Sequence, residues 1–415
     1  MKEVVDWLNG ILWSPILVYL FLGLGLFYSI VTRFVQVRSI KDILKQTFKG
    51  HSSKSGVSSF QALSMSLGSR VGTGNIAGVA TAIALGGPGA VFWMWVMALL
   101  GGATSFIEIM LTQVFKRKVN GQYRGGTPFY IDKGLKIKWL AILFSVITLV
   151  VMGVLWPGLQ INTVSLAMDE AFGIDPVITG IGLSGILAII IFGGVKRIAK
   201  AAEIVVPFMA IGYTLVGIII VMLNISQLPQ VFSLIFSSAF GADAAISGTI
   251  GQAISWGVQR GAYSNAAGVG SETFEAGAAE VTHPVKQGLV QSFSVYIDTI
   301  LLCSITAFMI IITDTFNVSS TPTLYTQQAI NSVFPGYGAA FLALALLFFC
   351  FTTVMSYYYK AETNLAFIML KRKSFAAWPK TVLRIVLVVI AFFGSVQTAS
   401  LDGEWPILDW ERWHG

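Results

Sequence analysis

The chain has 415 residues, 55% of them hydrophobic and 11% charged, with a mean hydropathy of +0.75. Soluble domains carry about 25% charged residues, so a water-soluble enzyme or nucleic-acid-binding protein is excluded and an all-α polytopic membrane protein is indicated. The net charge of +7 sits mostly in short loops between apolar runs, where it orients a chain in the bilayer and marks no nucleic-acid surface.

Apolar stretches of about 20 residues, long enough to cross the hydrocarbon core, are read at roughly 15–32, 58–85, 90–114, 139–166, 176–194, 203–223, 244–268, 288–312, 336–366 and 380–398. Lys2, Glu3 and Asp6 precede the first of them, which is therefore expected to be a retained helix and not a cleaved signal. A basic, partly amphipathic linker follows at 36–54, suited to the cytoplasmic membrane surface. Pro88, within Gly86-Gly-Pro-Gly89, marks a tight turn between two spans. Arg33, Arg38, Lys41 and Lys45, then Lys116–Lys118 and Arg124, then Lys196, Arg197 and Lys200, then Lys371–Lys373 all fall in loops on one side. The acidic loops at Asp169–Asp175 and Asp314 fall on the other. The positive-inside rule then places the N-terminus outside a plasma-membrane protein. Residues 271–288, with Glu272, Glu275, Glu280 and His283-Pro284, form a cytoplasmic connection. Cys303 and Cys350 lie inside apolar runs and read as small packing residues. His51, His283 and His414 are too scattered for a metal site.

The second span carries an anomaly. Gly68-Ser-Arg70-Val71-Gly72-Thr73-Gly74-Asn75-Ile-Ala-Gly78 places glycines, hydroxyls, an amide and a charge at membrane depth. Irregular backbone there is tolerated only where it is buried in protein or lines a wet cavity. Arg260, Asn265 and Ala267-Gly268 repeat the spacing of Arg70, Asn75 and Ala77-Gly78 at an offset of 265 − 75 = 190 residues. Gly-interrupted spans at matching places in two halves point to an inverted-repeat transporter with its site at the midplane. Close helix–helix packing is the other reading of these glycines.

These residues resemble the alanine/glycine:cation symporter family. The first core helix of that family is similar to Gly68-x-x-Val71-Gly72-x-Gly74-Asn75. Arg260-Gly261-x-x-Ser264-Asn265-x-Ala267-Gly268 and His283-Pro284-Val285-x-Gln287-Gly288 resemble two further motifs. The resemblance implies a LeuT-like fold of five plus five inverted helices, two of them broken, with one extra N-terminal helix. The implied division is an N-terminal helix and linker (1–57), a first repeat (58–225), a second repeat (240–400) and an atypical polar tail (401–415). It also implies sodium-coupled uptake of alanine or glycine, with no other cofactor, by a monomer in the lipid bilayer. Proton coupling stays open, as does, from a different class, an ion channel. A membrane enzyme finds no nucleophile–base pair here.

An unwound helix frees backbone N–H groups for a carboxylate and carbonyl oxygens for a hard cation. Gly72, Thr73, Gly74 and Asn75 are the candidate carboxylate cradle, closed by Tyr263, Ser264 and Asn265. The resemblance favours Gln160 as a contact to the substrate ammonium; an interhelical hydrogen bond is the alternative, and Asn162 points elsewhere. Tyr357 stands where many family members carry Trp. The resemblance also places sodium at Gly68, Val71, Thr352 and Thr353, although threonine hydroxyls can bond back to their own helix instead. Among the intramembrane charges, Arg70, Arg260 and Asp298 are gate candidates with Glu108 nearby, and a static pair or snorkelling is the alternative. Glu362 is expected at the interface. Ten spans are counted where the family would have eleven. A shifted reading frame over the tail gives a run resembling the missing helix, so a truncated or frameshifted gene is expected.

Overall fold

The computed structural model describes residues 13–48, 56–119, 121–241, 250–318, 322–370 and 377–396, together with Gly10. Short turns aside, the helices are α1 (Pro15–Val31), α2 (Ile40–Phe48), α3 (Ser59–Arg70), α4 (Gly74–Gly86), α5 (Gly89–Phe115), α6 (Lys138–Phe172), α7 (Pro176–Phe192), α8 (Val195–Leu223), α9 (Leu228–Ala239), α10 (Ile250–Asn265), α11 (Thr273–Ala278), α12 (Pro284–Ile312), α13 (Tyr325–Val333), α14 (Gly338–Ile368) and α15 (Ala377–Val396). A two-stranded antiparallel hairpin, β1 (Arg117–Val119) and β2 (Gln122–Arg124), follows α5. Six of the helices are long and apolar enough to cross a membrane, and α1, α4 and α7 are shorter apolar helices. The tail at 401–415, the start of the 244–268 span and Lys371–Lys373 lie outside the described residues.

Local chemistry sets the helix ends. Ser58 and Gln61 form a reciprocal capping box at the start of α3, satisfying amides that have no partner within the helix. Asp175 caps α7 through the Val177 N–H. The ring of His283 accepts from the Val285 N–H at the start of α12, which gives the His-Pro pair a helix-starting role.

Two packed groups flank the centre. In one, α5 lies along α10 and α12, with α1 against its outer side; in the other, α6 packs on α14 and α15, and α7 on α15. The interrupted helix joins them, since α3 packs on α8 and α14 while α4 packs on α10. Burial follows this order: 72% of the apolar window of α12 is buried, against 28% for α6 and for α8. The outer helices accordingly show Ile181, Ile189, Phe208 and Ile211 to the surroundings, as a lipid-facing surface requires.

Two expectations need correction. The second interruption lies downstream of Arg260–Asn265, which stays helical; the backbone turns only at Ala266 (φ 53°) and continues through Gly268 and Gly270 to α11. The physical reason is packing. A Cβ on Gly261 would lie 3.2 Å from Met97, so this small residue serves the close approach of α10 to α5. Glu362 is not interfacial but 2% exposed, held by Arg124 at 3.0 Å and Lys380 at 3.3 Å. The β-hairpin delivers Arg124 to the end of α14, a fold-back that no periodicity signals.

Candidate functional site

The first interruption falls at Val71 and Gly72, where Val71 turns extended (ψ 100°). Asn75 fastens it. Its Oδ1 accepts from the Gly72 N–H at 3.1 Å, and its Nδ2 donates to Asp298 Oδ1 at 2.8 Å. Asn265 does the same at the second interruption, accepting from the Ala267 N–H at 3.0 Å and donating to Thr299 Oγ1 at 3.2 Å. The two asparagines thus hold unwound backbone in place, each tied to the same stretch of α12. That stretch, Tyr296–Cys303, is a wide π turn, a distortion frequent at functional sites.

Asp298 joins the two breaks. Beside Asn75, it accepts from Ser264 Oγ at 2.8 Å and from Thr299 Oγ1 at 2.9 Å. Fully buried, it is a bridge between the interrupted helices. A Cβ on Gly74 would sit 3.2 Å from the Tyr263 ring and 3.5 Å from Ser264 Cα, so only glycine lets the two helices meet this closely.

Four oxygens converge on the other side of the first break. Thr353 Oγ1 lies 3.0 Å from Gly68 O and 3.3 Å from Val71 O, while Thr352 Oγ1 lies 3.3 Å from Gly68 O. Both hydroxyls also reach Phe349 O at 2.9 Å. One hydroxyl proton cannot serve several carbonyls at once. The cluster is therefore rich in unshared lone pairs, all on uncharged oxygens, a donor set that suits a hard monovalent cation. Among the described residues no group of histidine, cysteine and carboxylate side chains could hold a metal.

Between these features lie Gly72 and Gln160. Gly72 faces Thr353 Oγ1 and Gln160 Oε1, 3.1 and 3.7 Å from where its Cβ would be. Gln160 is 3% exposed, and its Oε1 accepts no hydrogen bond. Asn162 turns away to donate to Gly394 O at 3.0 Å. The Trp156 ring stands 6.4 Å from Tyr263 and 5.6 Å from Tyr357, forming an aromatic wall. Thr73 lies next to the Tyr263 hydroxyl. Of the binding residues expected from sequence, Gly72, Gly74, Gln160, Tyr263 and Tyr357 lie near one another, whereas Asn75, Ser264 and Asn265 turn to Asp298 and Thr299; Trp156 is an addition, recognisable only as one turn before Gln160.

Arg70 and Arg260 are far apart in role. Arg260 lies over the Trp256 ring at 5.2 Å. Arg70 donates to Ser294 and to Gln291 O, and its Nε lies 3.9 Å from Glu272 Oε2. Glu272 also receives Lys360 Nζ at 2.8 Å, and Glu275 stands 3.7 Å from the same ammonium. Ser69 joins through Lys360 at 2.5 Å. Sequence reasoning overlooked Lys360. Its signal is position: Thr353, Ser356 and Lys360 share one face of α14, and Ser356 donates to Met65 O at 2.9 Å. Glu108 stands nearby, accepting from the Gly268 N–H at 3.2 Å.

The sequence profile of the sodium:alanine symporter family matches residues 1–411. The chain belongs to that family. It is 55% identical to a putative sodium/proton-dependent alanine carrier protein of Bacillus subtilis, over 97% of this chain and 85% of that protein. It is 48% identical to a sodium/proton-dependent alanine carrier protein of Bacillus sp. strain PS3, over 85% and 82% of the two chains. With a sodium/alanine symporter of Methanococcus maripaludis the identity is 37% over 98% and 90%. A sodium-coupled sialic acid symporter, solved in a substrate-bound outward-open state, matches with a TM-score of 0.57 over 95% of this chain and 82% of that one. At 13% identity that likeness concerns fold alone. Members of this family are transporters, and a multi-pass membrane location follows from the family and the long apolar helices.

Proposed function

We propose that this symporter takes up alanine with sodium by alternating access around the two interrupted helices. Sodium is taken by Gly68 O, Val71 O and the Thr352 and Thr353 hydroxyls. The alanine carboxylate meets the backbone of Gly72–Gly74 at the start of α4, where helix-end amides favour an anion. Gln160 Oε1 receives the ammonium, and Tyr263, Tyr357 and Trp156 bound the room left for a small side chain. The observation that carries this reading is the oxygen cluster: two hydroxyls of α14 and two carbonyls of the first break converge around one point.

Several finer features belong to the same proposal. The halves 58–225 and 240–400 act as inverted repeats, with α1 as an extra helix and the N-terminus outside. The buried Arg70–Glu272–Lys360 contacts close the cytoplasmic side, and the bundle rocks around the site. Sodium fixes the unwound carbonyls that position the adjacent amides, so each ligand raises the affinity of the other. Radiolabelled alanine uptake into proteoliposomes, with and without a sodium gradient, tests the proposal. Uptake indifferent to sodium would overturn it.

A further inference from the structure

The inner lock contains more carboxylates than its cations satisfy. Lys360 Nζ sits on Glu272 at 2.8 Å, and the Arg70 guanidinium also turns to Glu272. Glu275 is fully buried, yet neither of its oxygens takes part in a hydrogen bond; its nearest cation is Lys360 at 3.7 Å. A buried carboxylate without hydrogen bonds resists ionisation, because nothing replaces its lost hydration.

The surroundings do not supply what is missing. α11 packs against α3, α5, α14 and β2. From these elements it faces Arg70 of α3; Glu108 and the neighbouring Lys116 of α5; Tyr359, Lys360 and Glu362 of α14; and Tyr123 and Arg124 of β2. Arg124 is committed to Glu362 at 3.0 Å, and Lys116 to Gln113 and to Ala279 O at 2.6 Å each. On its own segment stand Glu272 and Glu280. Arg70 and Lys360 thus confront Glu108, Glu272 and Glu275, two cations against three carboxylates.

We propose that Glu275 is a proton-binding site of the inner lock, filled when the lock closes and emptied when it opens. A proton from water on the inner side joins a Glu275 carboxylate oxygen as α11 buries against α14. It leaves by the same route when opening rehydrates the carboxylate, so no proton crosses the membrane. Acidity on that side then favours the closed lock and shifts the carrier toward the outward-facing state. The inference rests on the alternating-access reading above.

The test is alanine counterflow and sodium-driven uptake in proteoliposomes of uniform insertion, with pH varied from 6 to 9 on each side separately. Wild-type rates should change several-fold with pH on the inner side and little with pH on the outer side. Glu275→Gln, normalised to its own rate at pH 7, should be flat on both. Lys360→Gln, which removes the nearest cation, should move the midpoint of the profile to higher pH. A Glu275→Gln profile that follows wild type overturns the proposal, as does a Lys360→Gln midpoint that stays in place. A wild-type protein without sodium-dependent uptake at pH 7 would instead sink the transport reading itself, whatever the profiles show.

Discussion

Asn75 Nδ2 and Asp298 Oδ1 lie 2.8 Å apart with both side chains fully buried, so a carboxylate of α12 holds the unwound turn of the first interrupted helix. The other carboxylate oxygen takes Ser264. The geometry of the first break therefore depends on a side chain from another helix.

Asn75→Ala removes the buried hydrogen bond to Asp298 and the cap on Gly72, and should lower stability by about 2–3 kcal/mol. Asp298→Ala should cost a similar amount. Because they share one network, the double variant should fall short of the sum by about 1 kcal/mol or more. Thermal unfolding in detergent measures this, and strict additivity would contradict the bridge.

Thr353→Val deletes the hydroxyl that reaches Gly68 O and Val71 O together. Loss of one oxygen worth about 1.5 kcal/mol corresponds to roughly a tenfold rise in the sodium concentration for half-maximal uptake. Thr353→Ser should restore most of it. Thr352→Val should do less harm, since of the two carbonyls of the break that hydroxyl reaches only Gly68 O, at 3.3 Å. The measurement is sodium titration of alanine binding.

Gln160→Leu takes away the buried acceptor opposite Gly72. Alanine affinity should fall about tenfold, as for one lost charge-assisted hydrogen bond of about 1.5 kcal/mol, while sodium binding without alanine stays at wild-type strength. A Leu variant with unchanged alanine affinity would remove Gln160 from the pocket.

Arg124→Met leaves Glu362 buried with Lys380, which is 21% exposed, as its ion-pair partner. Breaking a buried pair from one side costs about 3–5 kcal/mol. The double variant Arg124→Met/Glu362→Leu should recover much of that, because the stranded charge is gone. Melting temperatures of the single and double variants decide the point.

The extent of what sequence could reveal follows the range of the interactions. The helices, the break at Val71–Gly72 and the threonine pair were legible because each leaves a local mark: an apolar run, clustered glycines, adjacent hydroxyls. The paired asparagines were visible as residues, but their task was not. An amide that secures its own turn has the same spacing as one that faces a ligand. Asp298 was read with the arginines because charge alone says nothing of which helix lies opposite. Glu362 was placed at the interface, and Lys360 passed over, for a related reason. A charge near the end of an apolar run looks free to reach water until the hairpin and α11 are seen to fold over it.

The proposed sodium site carries a further consequence. Its four ligand oxygens are all uncharged, and alanine enters as a zwitterion, so an ion held there meets no countercharge and the laden carrier is one unit more positive than the empty one. Each cycle with a single ion then moves one elementary charge inward. A resting voltage of about 100 mV, negative inside, adds about 2.3 kcal/mol to the pull, enough to raise the attainable accumulation about fiftyfold. Cells that lose their voltage should lose about fiftyfold in the accumulation they can reach, while their sodium gradient still drives the remainder.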